Sequence, residues 1–158
     1  MNNEILSLNN ELINGWINQY KPLCSPDIIL TICNGGKNVG ELLSNKLKIP
    51  QKFVTIKSYN KDNTQGNIKL IGEFPTLENN IKNLLIVDDI WDSGNTLMYV
   101  LNQLESINNN IKLCMIYTVV EKKKYPHKTF ISNKFSYRND SSCVVPANTW
   151  IKFPWEKD

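Results

Sequence analysis

The chain is 158 residues long, 41% hydrophobic and 21% charged, and carries a net charge of +3. Such a chain can bury the core of a single domain spanning residues 1–158, and its charge is too small to argue for a nucleic-acid partner. No apolar stretch approaches the roughly 20 residues of a membrane span, and the start MNNEILSLNNEL lacks the pattern of a signal peptide, so a cytoplasmic protein is expected.

In chain order, Ile5, Leu8, Leu12, Ile13, Trp16, Ile17 and Tyr20 recur at helical spacing and predict an amphipathic helix, closed by Pro22 and Pro26. The β-branched run DIILTIC, 27–33, predicts a buried strand. A turn follows at Asn34, Gly35, Gly36 and Lys37, then a short helix over 39–47 with Leu42, Leu43 and Leu47. Phe53, Thr55, Ile56 and Tyr59 mark a second strand. The polar loop 60–67 separates it from an antiparallel partner at 68–73. The run LLIV, 84–87, is a central buried strand; a helix is expected over about 96–107 and a further strand over 111–120. Strands alternating with helices imply an α/β fold with a mostly parallel sheet and right-handed crossovers. From Glu121 onward the sequence becomes irregular and rich in Lys and aromatic residues, so 121–158 is expected to form a small hood or short extra strands over one end of the sheet.

Cys24, Cys33, Cys114 and Cys143 stand far apart without CxxC spacing, which reads as reduced and buried. Asn and Lys are abundant, whereas the chain has a single Ala, Ala147, and a single Arg, Arg138. That imbalance is global, and it bears on any position where Arg would be expected but Asn or Lys stands.

The densest chemistry lies in LLIVDDIWDSGNT, 84–96. Asp88 and Asp89 end an apolar strand, where open α/β sheets place their ligands. Ser93, Gly94, Asn95 and Thr96 form a small polar turn that aims backbone N–H groups at an anion, with a helix N-terminus behind. An acidic pair at a strand end and a Thr at a helix start are, taken singly, ordinary capping chemistry. The complete ordered set is far more specific. It closely resembles the phosphoribosyl-pyrophosphate (PRPP) signature of type I phosphoribosyltransferases, an apolar strand followed by D-D-x-x-D-[ST]-G-x-T.

The resemblance extends along the chain. CNGGK, 33–37, is similar to the turn that binds pyrophosphate in that family, often across a cis peptide; Gly35 and Gly36 suit a backbone that must approach closely. The family's Arg is Asn34 here, and Lys37 adds a cation beside the turn. KSYNKDNTQGNIKL, 57–70, resembles the mobile loop of bacterial xanthine-guanine phosphoribosyltransferases, with Lys57 or Lys61 as the cation that closes over PRPP. WIKFPWE, 150–156, is similar to the tail of the 6-oxopurine enzymes, in which the first Trp stacks on the base.

The resemblance implies a type I phosphoribosyltransferase fold and transfer of ribose 5-phosphate from PRPP to xanthine, guanine or hypoxanthine, with pyrophosphate released, in purine salvage. It implies Asp88 and Asp89 as acceptors for the ribose hydroxyls, with Asp89 near Mg²⁺, directly or through water, and Asp88 beside it. Asn34 to Lys37 and Ser93 to Thr96 would hold the phosphates. Asp92 would face purine N7 as general acid/base, Lys122 or Lys123 would contact O6, Trp150 would stack, and the Ile151 backbone would read the ring edge. His127 reads as a surface residue and Trp155 as a packing residue. A homodimer or homotetramer is implied. The rival is a regulator that binds PRPP or a nucleotide without catalysis; a receiver-like phosphotransfer domain would need its acidic residues after the first strand, where CNGG stands.

Overall fold

The computed structural model of the chain describes residues 4–58, 68–107, 109–123 and 132–156. Its elements are β1 (Ile5–Ser7), α1 (Asn10–Gln19), β2 (Ile28–Cys33), α2 (Lys37–Leu47), β3 (Gln51–Ser58), β4 (Ile68–Ile71), β5 (Asn83–Trp91), α3 (Asn95–Ser106), β6 (Leu113–Lys123), β7 (Ser136–Pro146) and β8 (Trp150–Lys152). Six strands form the main sheet in the order β4-β3-β2-β5-β6-β7, and β1 pairs with β8 in a second, two-stranded sheet. Among the described residues only β4 runs antiparallel, against β3; the other pairs are parallel.

The apolar runs of β2, β5 and β6 are continuous because both faces of the sheet are covered. On one face Leu30, Ile32, Leu84, Ile86 and Ile116 pack with Leu97, Val100, Leu101 and Leu104 of α3. On the other, Ile29, Leu85, Val87, Met115 and Tyr117 pack with Ile13 and Ile17 of α1 and Val39 and Leu43 of α2. Asn9 caps α1 by accepting from the Leu12 amide at 2.8 Å. The far end of α1 is closed by α2: Lys46 Nζ donates to the carbonyls of Ile17, Asn18 and Tyr20 at 2.7, 2.9 and 2.6 Å.

The chain steps from β2 outward to β3 and then returns to lay β5 on the opposite side of β2. The carboxyl ends of β2 and β5 therefore flank a topological switch point, the crevice where such sheets bind ligands.

Two expectations are corrected. The first twenty residues are not helical throughout: Ile5–Ser7 pair in parallel with Trp150–Lys152, and the helix starts only after Asn9. Ile5 stays largely exposed while Leu8 is buried, so the apolar spacing there served two elements. The segment after Glu121 is also more regular than expected. β6 runs on to Lys123, and the polar stretch Ser136–Pro146 is the sixth strand of the main sheet, in register with β6 from Leu113↔Ser136 to Lys123↔Pro146. Only β8, with β1, forms the small extra sheet.

The four cysteines are free, Cys114 buried and the others half-buried. Among the described residues no helix is long and apolar enough to cross a membrane.

Candidate active site

A concavity of about 250 Å³ opens at the switch point, lined among others by Cys33, Asn34, Gly35, Asp88, Asp89, Asp92 and Thr96. It brings the turn after β2 against the acidic end of β5, which the sequence separates by some fifty residues. Local structure explains the turn. The Cys33–Asn34 peptide is cis, and Gly36 N–H donates to the Ile32 carbonyl at 2.9 Å. A Cβ on Gly36 would lie 2.7 Å from the Ile32 oxygen and 2.9 Å from the Val87 oxygen, and one on Gly35 would lie 2.7 Å from an Asp89 carboxylate oxygen. Only glycines let the turn approach the end of β5 so closely.

Two helices begin at this crevice without a side-chain cap. Gly36 is the N-cap of α2, and Gly94, in the left-handed region at φ +86°, is the N-cap of α3. Apart from the Asn95 amide, first-turn amides without a side-chain cap are groups that bind anions. Ser93 Oγ accepts from the Asn95 amide at 3.2 Å, shaping the turn. Beneath it lies Trp91, 6% exposed, whose indole nitrogen is 2.8 Å from where a Cβ of Gly94 would stand.

Asp88 is 8% exposed and Asp89 half-buried. Asp88 Oδ1 accepts from the Asp89 amide at 2.9 Å. Burial, then the charge of Asp89, pushes the Asp88 pKa well above the usual carboxylate range. Burial also raises Asp89, against hydrogen bonds that lower it. Two carboxylates desolvated side by side need hydrogen-bond donors or a cation to stay charged. That is the need ribose hydroxyls and a divalent ion would fill. Among the described residues no group of three or more His, Cys, Asp or Glu side chains is placed to hold a metal unaided. The pair nonetheless fits Mg²⁺, which takes few carboxylates and completes its shell with water and substrate phosphate. Asp89, whose carboxylate lies against the Gly35 turn, could hold such an ion, with Asp88 beside it.

At the rim, Lys122 Nζ at the end of β6 lies 3.7 Å from Asp92 Oδ2; the two side chains are 14% and 51% exposed. Lys123 is exposed and sits beyond it, opposite Pro146 in the ladder. Lys122 is thus the lysine paired with Asp92.

Not every expected residue gathers here. Lys37 is exposed at the first position of α2. Trp150, 62% exposed, stands on β8 outside the lining of the crevice, while the Ile151 side chain is 6% exposed and belongs to the core. Trp155 stacks on Phe153 at 4.9 Å and packs on the core, as a packing residue would. Lys57 is exposed on β3, opposite Lys69. Lys61 and His127 lie outside the described residues. Six lining residues, Ile32, Cys33, Ile56, Ile90, Trp91 and Leu97, were not among the expected site residues. A bulky aromatic three positions before a glycine was the signal for Trp91.

Comparisons with known proteins bear on the family and the fold. A model of the phosphoribosyl transferase domain matches residues 2–155. The hypoxanthine-guanine phosphoribosyltransferase of Cricetulus griseus is 36% identical over 73 residues, 45% of this chain and 32% of that protein, so the chain spans about a third of that relative. A hypothetical protein from Neisseria gonorrhoeae, solved with bound ppGpp, superposes with a TM-score of 0.77 at 22% identity, over 99% of this chain and 92% of its own. The xanthine-guanine-hypoxanthine phosphoribosyltransferase of Helicobacter pylori superposes with a TM-score of 0.69 at 23% identity, over 97% and 94%. With the sheet, the turn after β2 and the acidic end of β5 in place, the chain belongs to the phosphoribosyl transferase domain family and has the type I phosphoribosyltransferase fold.

Proposed function

We propose that the chain is a 6-oxopurine phosphoribosyltransferase of purine salvage, joining N9 of xanthine, guanine or hypoxanthine to C1 of the ribose 5-phosphate of PRPP as pyrophosphate leaves. The observation that carries this reading is the meeting of Asp92 and Lys122, 3.7 Å apart, at the rim of a crevice floored by Asp88, Asp89 and two uncapped helix starts. An acceptor and a donor side by side match the N7–H and O6 edge of a 6-oxopurine, and oppose a 6-amino group, which would point hydrogens at the ammonium.

Each group then has one task. The turn at 93–96 holds the 5-phosphate, Asp88 and Asp89 accept from the ribose hydroxyls, and the turn at 34–37 holds pyrophosphate. The bond to pyrophosphate oxygen breaks as the N9–C1 bond forms, and Asp92 takes the purine proton. Mg²⁺, when bound, neutralises charge on the departing pyrophosphate. Positioning supplies most of the rate, since the leaving group is already a stable anion. Trp150 covers the base from the small sheet. The same reading carries a cytoplasmic location and an assembly of two or four copies.

Incubation of the protein with PRPP, Mg²⁺ and each purine, followed by chromatography, tests this. Nucleotide is expected from at least one 6-oxopurine and not from adenine. PRPP binding without consumption of any base contradicts it and favours a regulator.

A further inference from the structure

A second concavity, of about 340 Å³, lies away from the crevice and shares no lining residue with it. It sits where the end of α1 passes over β6 and the edge strand β7, on the sheet face that α1 and α2 cover. Its volume is at the lower end of the ~300–1,000 Å³ of small-molecule sites.

Its walls differ from an ordinary surface dip. Tyr20 and Tyr117 bring their rings to 4.4 Å between centroids, tilted by 37°, and Trp16 adds a further aromatic wall. The Tyr117 hydroxyl is paired with Ser142. The Tyr20 hydroxyl is shielded from solvent and, among the described residues, has no hydrogen-bond partner. Burial, then the nearby Asp140, pushes the Tyr20 pKa up, so it stays a donor. A buried donor without an acceptor is a cost that a ligand acceptor would remove.

Across from the rings stands Arg138, the chain's single Arg beside 17 Lys among its 18 basic residues. Arg138 uses Nε on Asp140, at 3.3 Å, and among the described residues its terminal Nη groups hold no partner. In a chain that uses Lys almost everywhere, the one guanidinium supplies a fork that Lys cannot, suited to two oxygens of one anion. Lys21 adds positive charge at the rim, and Asp140 opposes a second anionic group.

We propose that this concavity is a second small-molecule site, taking a planar aromatic or heteroaromatic ring that carries one phosphate or carboxylate and is no larger than a mononucleotide. The ring lies against Tyr20, Tyr117 and Trp16, the anion on the Nη groups of Arg138. Asp140 turns away ligands with a pyrophosphate group, which separates this site from the PRPP crevice.

The test is calorimetric titration of the full chain with guanosine 5′-monophosphate and, separately, 4-hydroxybenzoate. The choice of the nucleotide rests on the proposed function; the site does not. Wild type is compared with Arg138→Ala, Arg138→Lys, Tyr20→Phe and the crevice variant Asp89→Asn. We expect at least one probe to bind with an affinity that falls tenfold or more in Arg138→Ala, a loss of about one hydrogen-bonded charge contact. Most of that loss should persist in Arg138→Lys, a few-fold loss should appear in Tyr20→Phe, and Asp89→Asn should leave the Arg138-dependent binding unchanged. Arg138-dependent binding of the nucleotide alone, or of the aromatic acid alone, supports the site and assigns the anion. No binding of either probe outside the crevice, or binding indifferent to both Arg138→Ala and Tyr20→Phe in folded protein, overturns it. Arg138-dependent binding in a protein that transfers no ribose would leave this site standing and the proposed function fallen.

Discussion

Under the proposed function, Asp88 serves a ligand at the expense of the fold. Its carboxyl is buried beside Asp89, and its pKa is raised. The folded chain therefore holds this proton more tightly than the unfolded one. The stability from this group is complete below the ordinary carboxylate value of about 3.9 and is lost as pH rises through the folded pKa. Asp88→Asn keeps an acceptor for the Asp89 amide and removes the buried charge. It is expected to melt above wild type at pH 7, by about 2–4 °C per kcal/mol regained, with the gap closing toward about pH 4. Melts of both proteins across that range check this; equal melting at pH 7 contradicts it. Under the same proposal Asn34 makes the opposite case, a pyrophosphate position left short of charge. Asn34→Arg is expected to tighten PRPP binding severalfold by a charge-assisted contact to pyrophosphate. Titration calorimetry reads this directly, and unchanged affinity would place residue 34 outside the pyrophosphate contact.

At the scale of elements, the crevice is made by two strand–turn–helix units whose turns depend on glycine. In Gly36→Ala the added carbon meets the Ile32 and Val87 carbonyls at 2.7 and 2.9 Å. These are backbone atoms at the centre of the sheet and cannot swing aside. A loss of about 1–3 kcal/mol is expected, seen as a lower melting temperature together with weaker PRPP binding. These units were the legible part of the chain. An apolar run, an acidic end, a small polar turn and a helical pattern state strand, site and helix in one stretch of sequence. β7 was illegible for the converse reason. SYRNDSSCVVP has no apolar run beyond the three residues 143–145, because an edge strand half open to solvent can satisfy its side chains in water. The start of the chain misled in another way: Ile5 and Leu8 keep helical spacing with α1, but Ile5–Ser7 take β8 as partner, a pairing across the whole chain that no local pattern announces.

For the whole molecule, the order of strands decides where chemistry is possible. Reversal at β2 puts its turn against β5, and the parallel run from β5 to β6 carries Lys122 to Asp92. The candidate residues were readable one by one, but their meeting, and the Trp91 floor beneath Gly94, follow from the fold. Trp150 marks the boundary: it is exposed on the small sheet, outside the crevice lining. Trp150→Ala is expected to raise KM for the purine about tenfold or more, the worth of one base–aromatic stack, with KM for PRPP unchanged in the same steady-state assay. An equal effect on both substrates would assign Trp150 to the fold instead of the base.

The central claim is that purine and PRPP meet between Asp92 and the floor formed by Asp88 and Asp89. It is tested most directly by single-turnover nucleotide formation in wild type and Asp92→Asn, with PRPP affinity measured alongside. The account predicts a rate lowered by about 10²–10⁴-fold, the worth of a positioned general base, and PRPP affinity within about threefold of wild type. A wild-type rate in Asp92→Asn would contradict it.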